Sequence, residues 1–178
     1  TIYAMRVRSV NSTNVSAWTT LTASTYTLAS VPAASNPTAI EISSVTATWT
    51  ANTNPTGTFY EAQASSNGYT NYSSSVTQLT NAALIELSSN TLNTMRVRSR
   101  NGDTIYTAWE TLPSTYTRAA PPLIPASAFS NVLLTSFTVS WSSNGNANYT
   151  SYYVELSTMD TFSPTTATWN WKLNVSTG

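Results

Sequence analysis

Seven carboxylates are the main side chains through which this chain could run a reaction: Glu41, Glu61, Glu86, Asp103, Glu110, Glu155 and Asp160. There is no His and no Cys. That removes the commonest general base, thiol nucleophiles, zinc–thiolate sites and disulfides. Acid–base catalysis would then need paired carboxylates. The seven are scattered, most of them on outward strand positions or loop tips. The sequence therefore predicts no enzyme, no catalytic residue and no cofactor. Calcium needs several converging oxygens. No Asp-x-Asp run occurs, and no metal site is expected.

Three other groups could bind rather than react. Arg96, Arg98 and Arg100 alternate with Met95, Val97 and Ser99, so they share one face of a strand. A ligand-binding arginine ladder is one reading of that face. Trp169 and Trp171 alternate with polar neighbours. They read either as a stacking platform for sugars or as core or junction residues of a strand whose partners this segment lacks. Asn-x-Ser/Thr sites occur at Asn11, Asn14, Asn71, Asn148 and Asn174. Chance supplies several in a chain this rich in Asn, Ser and Thr. Surface hydroxyls are a further place for glycans.

Over the whole chain, 7 basic and 7 acidic residues give a net charge of zero, and only 8% of residues are charged. Ordinary globular domains carry roughly 25%. Long-range attraction to nucleic acid or to an anionic membrane has almost no source. Ser and Thr make up 60 of the 178 residues, so solubility rests on hydroxyls and amides. Disorder is disfavoured, because 40% of residues are hydrophobic and recur at fixed spacing. No apolar run approaches the ~20 residues of a membrane helix. Thr1-Ile2-Tyr3 shows no charged-then-apolar signal pattern.

The elements that must hold these groups are repeated. Met5-Arg6-Val7-Arg8-Ser9 recurs as Met95-Arg96-Val97-Arg98-Ser99, Ala17-Trp18 as Ala108-Trp109, and Ser24-Thr25-Tyr26-Thr27 as Ser114-Thr115-Tyr116-Thr117. An offset of 90 or 91 residues means whole domains in tandem. Short alternating runs separated by Gly, Pro, Asn and Ser predict an all-β sandwich. Parity gives the inward faces: Val45, Ala47 and Trp49; Tyr60, Ala62 and Ala64; Met95 and Val97; Phe137, Val139 and Trp141; Tyr152, Val154 and Leu156. At an offset of 92, Ile40 and Ile42 align with Val132 and Leu134. Asn67-Gly68, Asn101-Gly102 and Asn144-Gly145 read as turn tips. Pro-containing joints at 29–33 and 119–125 separate the units and stay semi-stiff. The expected layout is a C-terminal part of one domain at 1–31, a complete domain at 32–120 and an N-terminal part of another at 121–178.

These residues resemble the fibronectin type III family. Trp49 is similar to the family's second-strand core Trp and Tyr60 to its third-strand core Tyr. Leu87-Ser88-Ser89-Asn90-Thr91 resembles its Leu-x-Pro-x-Thr turn. Tyr3 to Asn11 and Asn93 to Asn101 resemble its sixth strand, Tyr-x-x-Arg-Val-x-Ala-x-Asn. Asn93 departs from it at the tyrosine whose hydroxyl ties down the corner. Tyr152-Tyr153-Val154-Glu155-Leu156-Ser157, with Asp160 and Phe162, looks like bacterial members. The resemblance implies tandem Greek-key sandwiches of seven strands in two antiparallel sheets. It implies a core of Trp49, Tyr60, Met95, Val97, Trp141, Tyr152, Tyr3, Met5 and Val7. It also puts outward Glu61 beside Arg96 or Arg98 as a cross-strand pair, worth about 0.2–1 kcal/mol if exposed. Arg100-Asn101-Gly102-Asp103 sits where some animal members carry Arg-Gly-Asp; the inserted Asn breaks that motif and an ordinary turn is expected.

The function expected on this footing is a structural or adhesive extracellular or cell-surface array. The alternative is a carbohydrate- or protein-binding accessory module. The expected partners are further copies end to end, as a filament or a continuous repeat chain, with a glycan or protein ligand second; no nucleic acid and no membrane insertion are expected. By the offset of 92, Gly178 corresponds to Glu86, while by the offset of 90 Thr1 corresponds to Thr91. The C-terminal part of one copy is thus expected to pack with the N-terminal part of the next, covalently or by strand complementation. Arg6 or Arg8 would then meet Glu155, with Trp169 and Trp171 in the same contact.

Overall fold

A computed structural model describes residues 1–157 and the backbone of residues 169–171. All regular structure among the described residues is β. The first unit contributes β1 (Ile2–Val7) and β2 (Thr19–Tyr26), an antiparallel pair. The middle unit holds β3 (Ala33–Ala34), β4 (Val45–Thr50), β5 (Phe59–Ser65), β6 (Ser73–Thr77), β7 (Asn81–Leu84), β8 (Leu92–Arg100) and β9 (Glu110–Tyr116). The third contributes β10 (Phe129–Ser130), β11 (Thr138–Val139), β12 (Val154–Leu156) and β13 (Trp169–Trp171).

The middle unit is a two-layer sandwich. One sheet runs β3-β4-β7 and the other β6-β5-β8-β9. Alternation builds the core between them. Val45, Ala47 and Trp49 on β4 face Tyr60, Ala62 and Ala64 on β5, with Leu84, Met95, Val97 and Leu112 closing the layer. Four of the core side chains are alanines, which leaves room for the Trp49 and Tyr60 rings, 5.6 Å apart and tilted by 54°. Trp49, Tyr60, Met95 and Val97 are all buried, as parity requires.

The one-residue slip in the repeat has a structural location. Between Arg6↔Thr20 and Tyr3↔Thr25 the second strand carries four residues; between Arg96↔Thr111 and Asn93↔Thr115 it carries three. Both pairs are irregular at this point, and the first unit has the larger bulge.

Several expectations change. Tyr3, Met5 and Val7 are exposed, not core, because β1 and β2 form a two-stranded layer and the described residues place no second sheet over it. Trp141 and Tyr152 are half-buried rather than core, although their rings keep the middle unit's geometry at 5.7 Å and 61°. The aligned pairs diverge in burial: Ile40 packs on the core, while Ile42, Val132 and Leu134 are exposed. The strand bearing Trp169 and Trp171 does have a partner in this chain, pairing Val154↔Trp171 and Leu156↔Trp169. The two indole side chains, with Asp160 and Phe162, lie outside the described residues. The first Pro joint is shorter than expected, since β3 resumes pairing with β4 at Ala33.

The corner usually held by a tyrosine is held differently. Asn93 is buried, but its amide donates only to the nearby Thr91 carbonyl at 2.8 Å. The buried Thr117 makes the tie instead. Its hydroxyl donates to the Ser88 carbonyl at 2.6 Å and accepts from the Thr91 amide at 3.1 Å. A hydroxyl has one donor and two acceptor sites, which suits both jobs.

Candidate functional site

The most strongly built polar groups lie at the joints between units. Asn54 follows Trp49 by five residues and sits on the loop leaving β4. Its Oδ1 accepts from the Ser30 amide at 2.8 Å, and its Nδ2 donates to the Ser30 carbonyl at 2.7 Å. The side-chain amide therefore pairs with a linker residue as a strand neighbour would. Two residues earlier, Asn52 donates to the Val31 carbonyl at 2.8 Å.

The second joint repeats this. Asn146, five residues after Trp141, accepts from the Ala120 amide at 2.7 Å and donates to the Ala120 carbonyl at 2.8 Å. Asn144 donates to the Pro121 carbonyl at 2.9 Å. Each Asn-x-Asn thus clamps two consecutive linker residues. The core reaches the clamp through tyrosine: Tyr152 Oη accepts from Asn146 Nδ2 at 3.3 Å, and Tyr60 bonds with Asn54. Burial pushes the Tyr60 hydroxyl above its ordinary value, and the bond to Asn54 acts the other way.

Beyond the clamp, the two joints differ. At the first, the turn Asn101-Gly102-Asp103 grips the end of β2. Asp103 accepts from the Tyr26 amide at 3.0 Å and the Thr25 hydroxyl at 3.3 Å, and Asn101 donates to the Thr27 carbonyl at 3.3 Å. The Tyr26 ring lies so close to Gly102 that an added Cβ would sit 2.5 Å from it. The expected ordinary turn is therefore a docking element. At the second joint, Tyr149 packs edge-on to Tyr116 with centroids 6.4 Å apart and donates to the Asn90 carbonyl at 2.9 Å. Asn90 in turn donates to Thr150 Oγ1 at 2.7 Å.

The outward arginines form a stack. In order run Tyr69, Arg96, Trp109, Arg98, Tyr106, Arg100 and Phe59, with guanidinium-to-ring distances of 3.7, 4.2, 4.3, 3.9, 6.0 and 4.7 Å. Arg98 places Nε and Nη2 at 2.9 and 2.7 Å from Glu61 Oε2, so the expected pair exists, with Arg98 rather than Arg96. Arg96 instead donates twice to Gln63 Oε1, and Gln63 donates to Glu61 Oε1 at 3.0 Å. The first unit carries the start of the same stack, with Arg6 and Arg8 at 4.4 and 4.5 Å from the Trp18 ring. The expected contact of Glu155 with Arg6 or Arg8 concerns another copy. Among the other carboxylates, Glu41 lies 3.6 Å from Arg118.

No protein-family model matches the chain, and no curated protein matches it. Solved structures do. One is titin domains A168–A170, at 20% identity over 49% of this chain and 31% of that one, with a TM-score of 0.42. Another is a fibronectin type III domain derived from human KIAA0970 protein, at 21% identity over 53% and 76%, TM-score 0.40. A third is chicken CNTN1 FN1-FN3, at 16% identity over 82% and 52%, TM-score 0.46. By its own strand pairing the chain holds an antiparallel two-layer β-sandwich in the middle unit. It spans about a third of the titin structure and about half of the CNTN1 structure.

Proposed function

We propose that this fibronectin type III-like chain is part of a structural or adhesive extracellular array whose units are held at set angles to one another. The observation that carries this reading is the Asn-x-Asn clamp, built twice with the same partners at Ser30–Val31 and Ala120–Pro121. A flexible tether has no use for side-chain amides paired with its own linker backbone. Asn146 is itself buried, so leaving its amide unpaired would cost about 1–3 kcal/mol. The partners in this reading are further units of the same kind, before and after, including the end-to-end contact of Arg6 or Arg8 with Glu155. The test is residual dipolar couplings on the intact chain. Middle and flanking units should share one alignment tensor, and Asn54→Ala or Asn146→Ala should separate them at the affected joint. Independent tensors in the unaltered chain would refute the reading.

A further inference from the structure

The arginine stack has a rung without an acceptor, and that rung opens on a cleft. On β5 the residues opposite Arg96, Arg98 and Arg100 are Gln63, Glu61 and Phe59. The first two supply oxygens that each take two N–H groups from the facing guanidinium. Phe59 supplies none. Among the described residues the Arg100 guanidinium makes no hydrogen bond or ion pair, and its contacts are the Phe59 and Tyr106 rings at 4.7 and 6.0 Å. The first unit has Val10 at the matching position, so the charge belongs to the middle unit's copy alone.

Arg100 and Phe59 line a cleft of about 520 Å³ between the first and middle units. That lies within the range of small-ligand sites, roughly 300–1,000 Å³. Thr53, Thr56 and Thr58 line the same cleft. Phe59 is 40% exposed and offers part of its ring to the cleft. A guanidinium with free donors binds a carboxylate through two parallel hydrogen bonds. An exposed aromatic face suits the C–H face of a pyranose, and threonine hydroxyls suit its hydroxyls. We propose that this cleft binds an acidic sugar, with Arg100 holding the carboxylate of a hexuronate residue and Phe59 the ring. The site goes beyond the array reading but rests on it for its second wall, which Thr1 and residues 26–30 supply; the dipolar couplings report on the joint independently of the titration, so the two can fail separately.

The test is a titration of the full chain followed by backbone amide shifts, with three probes: a glucuronate disaccharide, an uncharged glucose disaccharide and a Glu-Glu dipeptide. The expected result is saturable shifts at residues 55–59 and 100–102 with the glucuronate probe, binding at least tenfold weaker for the glucose probe, and at least tenfold weaker in Arg100→Gln. Thermal unfolding checks that the variant folds. Arg100→Lys keeps the charge without the fork, should bind the glucuronate probe several-fold more weakly, and carries the test should Arg100→Gln misfold. No saturable shift, equal binding of the uncharged sugar, or unchanged binding in the variants would overturn the proposal. Binding of the dipeptide as tight as the glucuronate probe would assign the cleft to acidic peptides and overturn it equally.

Discussion

Replacing Trp109 by Leu tests the stack at its centre. The indole lies between two half-buried guanidinium groups at 4.2 and 4.3 Å. Cation–π contacts are worth about 0.5–1 kcal/mol when exposed and about 2 when desolvated. Two contacts of intermediate burial give about 2 kcal/mol, since leucine keeps part of the apolar cover. That is roughly a thirtyfold change in the folding equilibrium. Glu61→Gln should cost less, about 0.5–1 kcal/mol, because Gln keeps an acceptor for Arg98 and the pair is partly solvated, with side chains 27% and 16% exposed. The assay is urea unfolding of the full chain, read on methyl resonances of Val97 and Leu84, which report the middle unit alone. A double-mutant cycle of Trp109→Leu with Arg98→Met isolates the contact. A coupling energy below about 0.3 kcal/mol would show that the stack is geometry without energy.

Trp49→Ala should cost about 3–5 kcal/mol, read by the same unfolding assay, because the ring is 3% exposed in the core. Trp49→Phe should cost clearly less, since Trp49 Nε1 has no hydrogen-bond partner among the described residues and none is lost. Gly102→Ala should undock the first joint while leaving the middle unit's stability within about 0.5 kcal/mol, as the atoms nearest the new methyl all belong to the Tyr26 ring; nuclear Overhauser contacts from Tyr26 to residue 102 should disappear. Tyr60 is an acid whose folded value is raised above its ordinary 10.0 by burial. The unfolded chain therefore ionises first, so this contribution is complete below about pH 10 and is lost as pH climbs through the raised value. Tyr60→Phe should flatten that part of the alkaline unfolding profile.

The core was legible because a strand's side-chain period is two. Val45, Ala47 and Trp49 share a face whatever the register, and burial follows. The Glu61–Arg98 pair was legible once the neighbouring strands were known, since opposite charges on adjacent outward positions meet. The clamps were not read. Asparagine in a loop signals a turn, and its use against a linker backbone leaves no charge or hydrophobic pattern. The signal available was positional: Asn52 and Asn54 stand three and five residues after Trp49, as Asn144 and Asn146 stand after Trp141. Trp109 was seen to recur with Trp18, yet its place between arginines depends on β9 lying beside β8. Gly102 was read as a turn residue. It has an ordinary negative-side backbone, unlike Gly68 and Gly145, and is small because a ring from another unit lies on it. Tyr3, Met5 and Val7 carry the core pattern without burial, because parity names a face and says nothing of what covers it.

The clamps also determine how tension passes along the chain. A pull on the first unit reaches the middle one through residues 29–33, and Ser30 and Val31 are pinned there by Asn54 and Asn52. These bonds lie ahead of the sandwich in the line of force. Releasing the two pinned residues lengthens the chain by at most about 7 Å, at 3.3–3.6 Å per residue. The core of Trp49 and Tyr60 stays closed while that happens, and the amides can rebind when the load falls. Each clamp is then a short, uncharged and resettable spring, whose stroke is the same in dilute buffer and in concentrated salt.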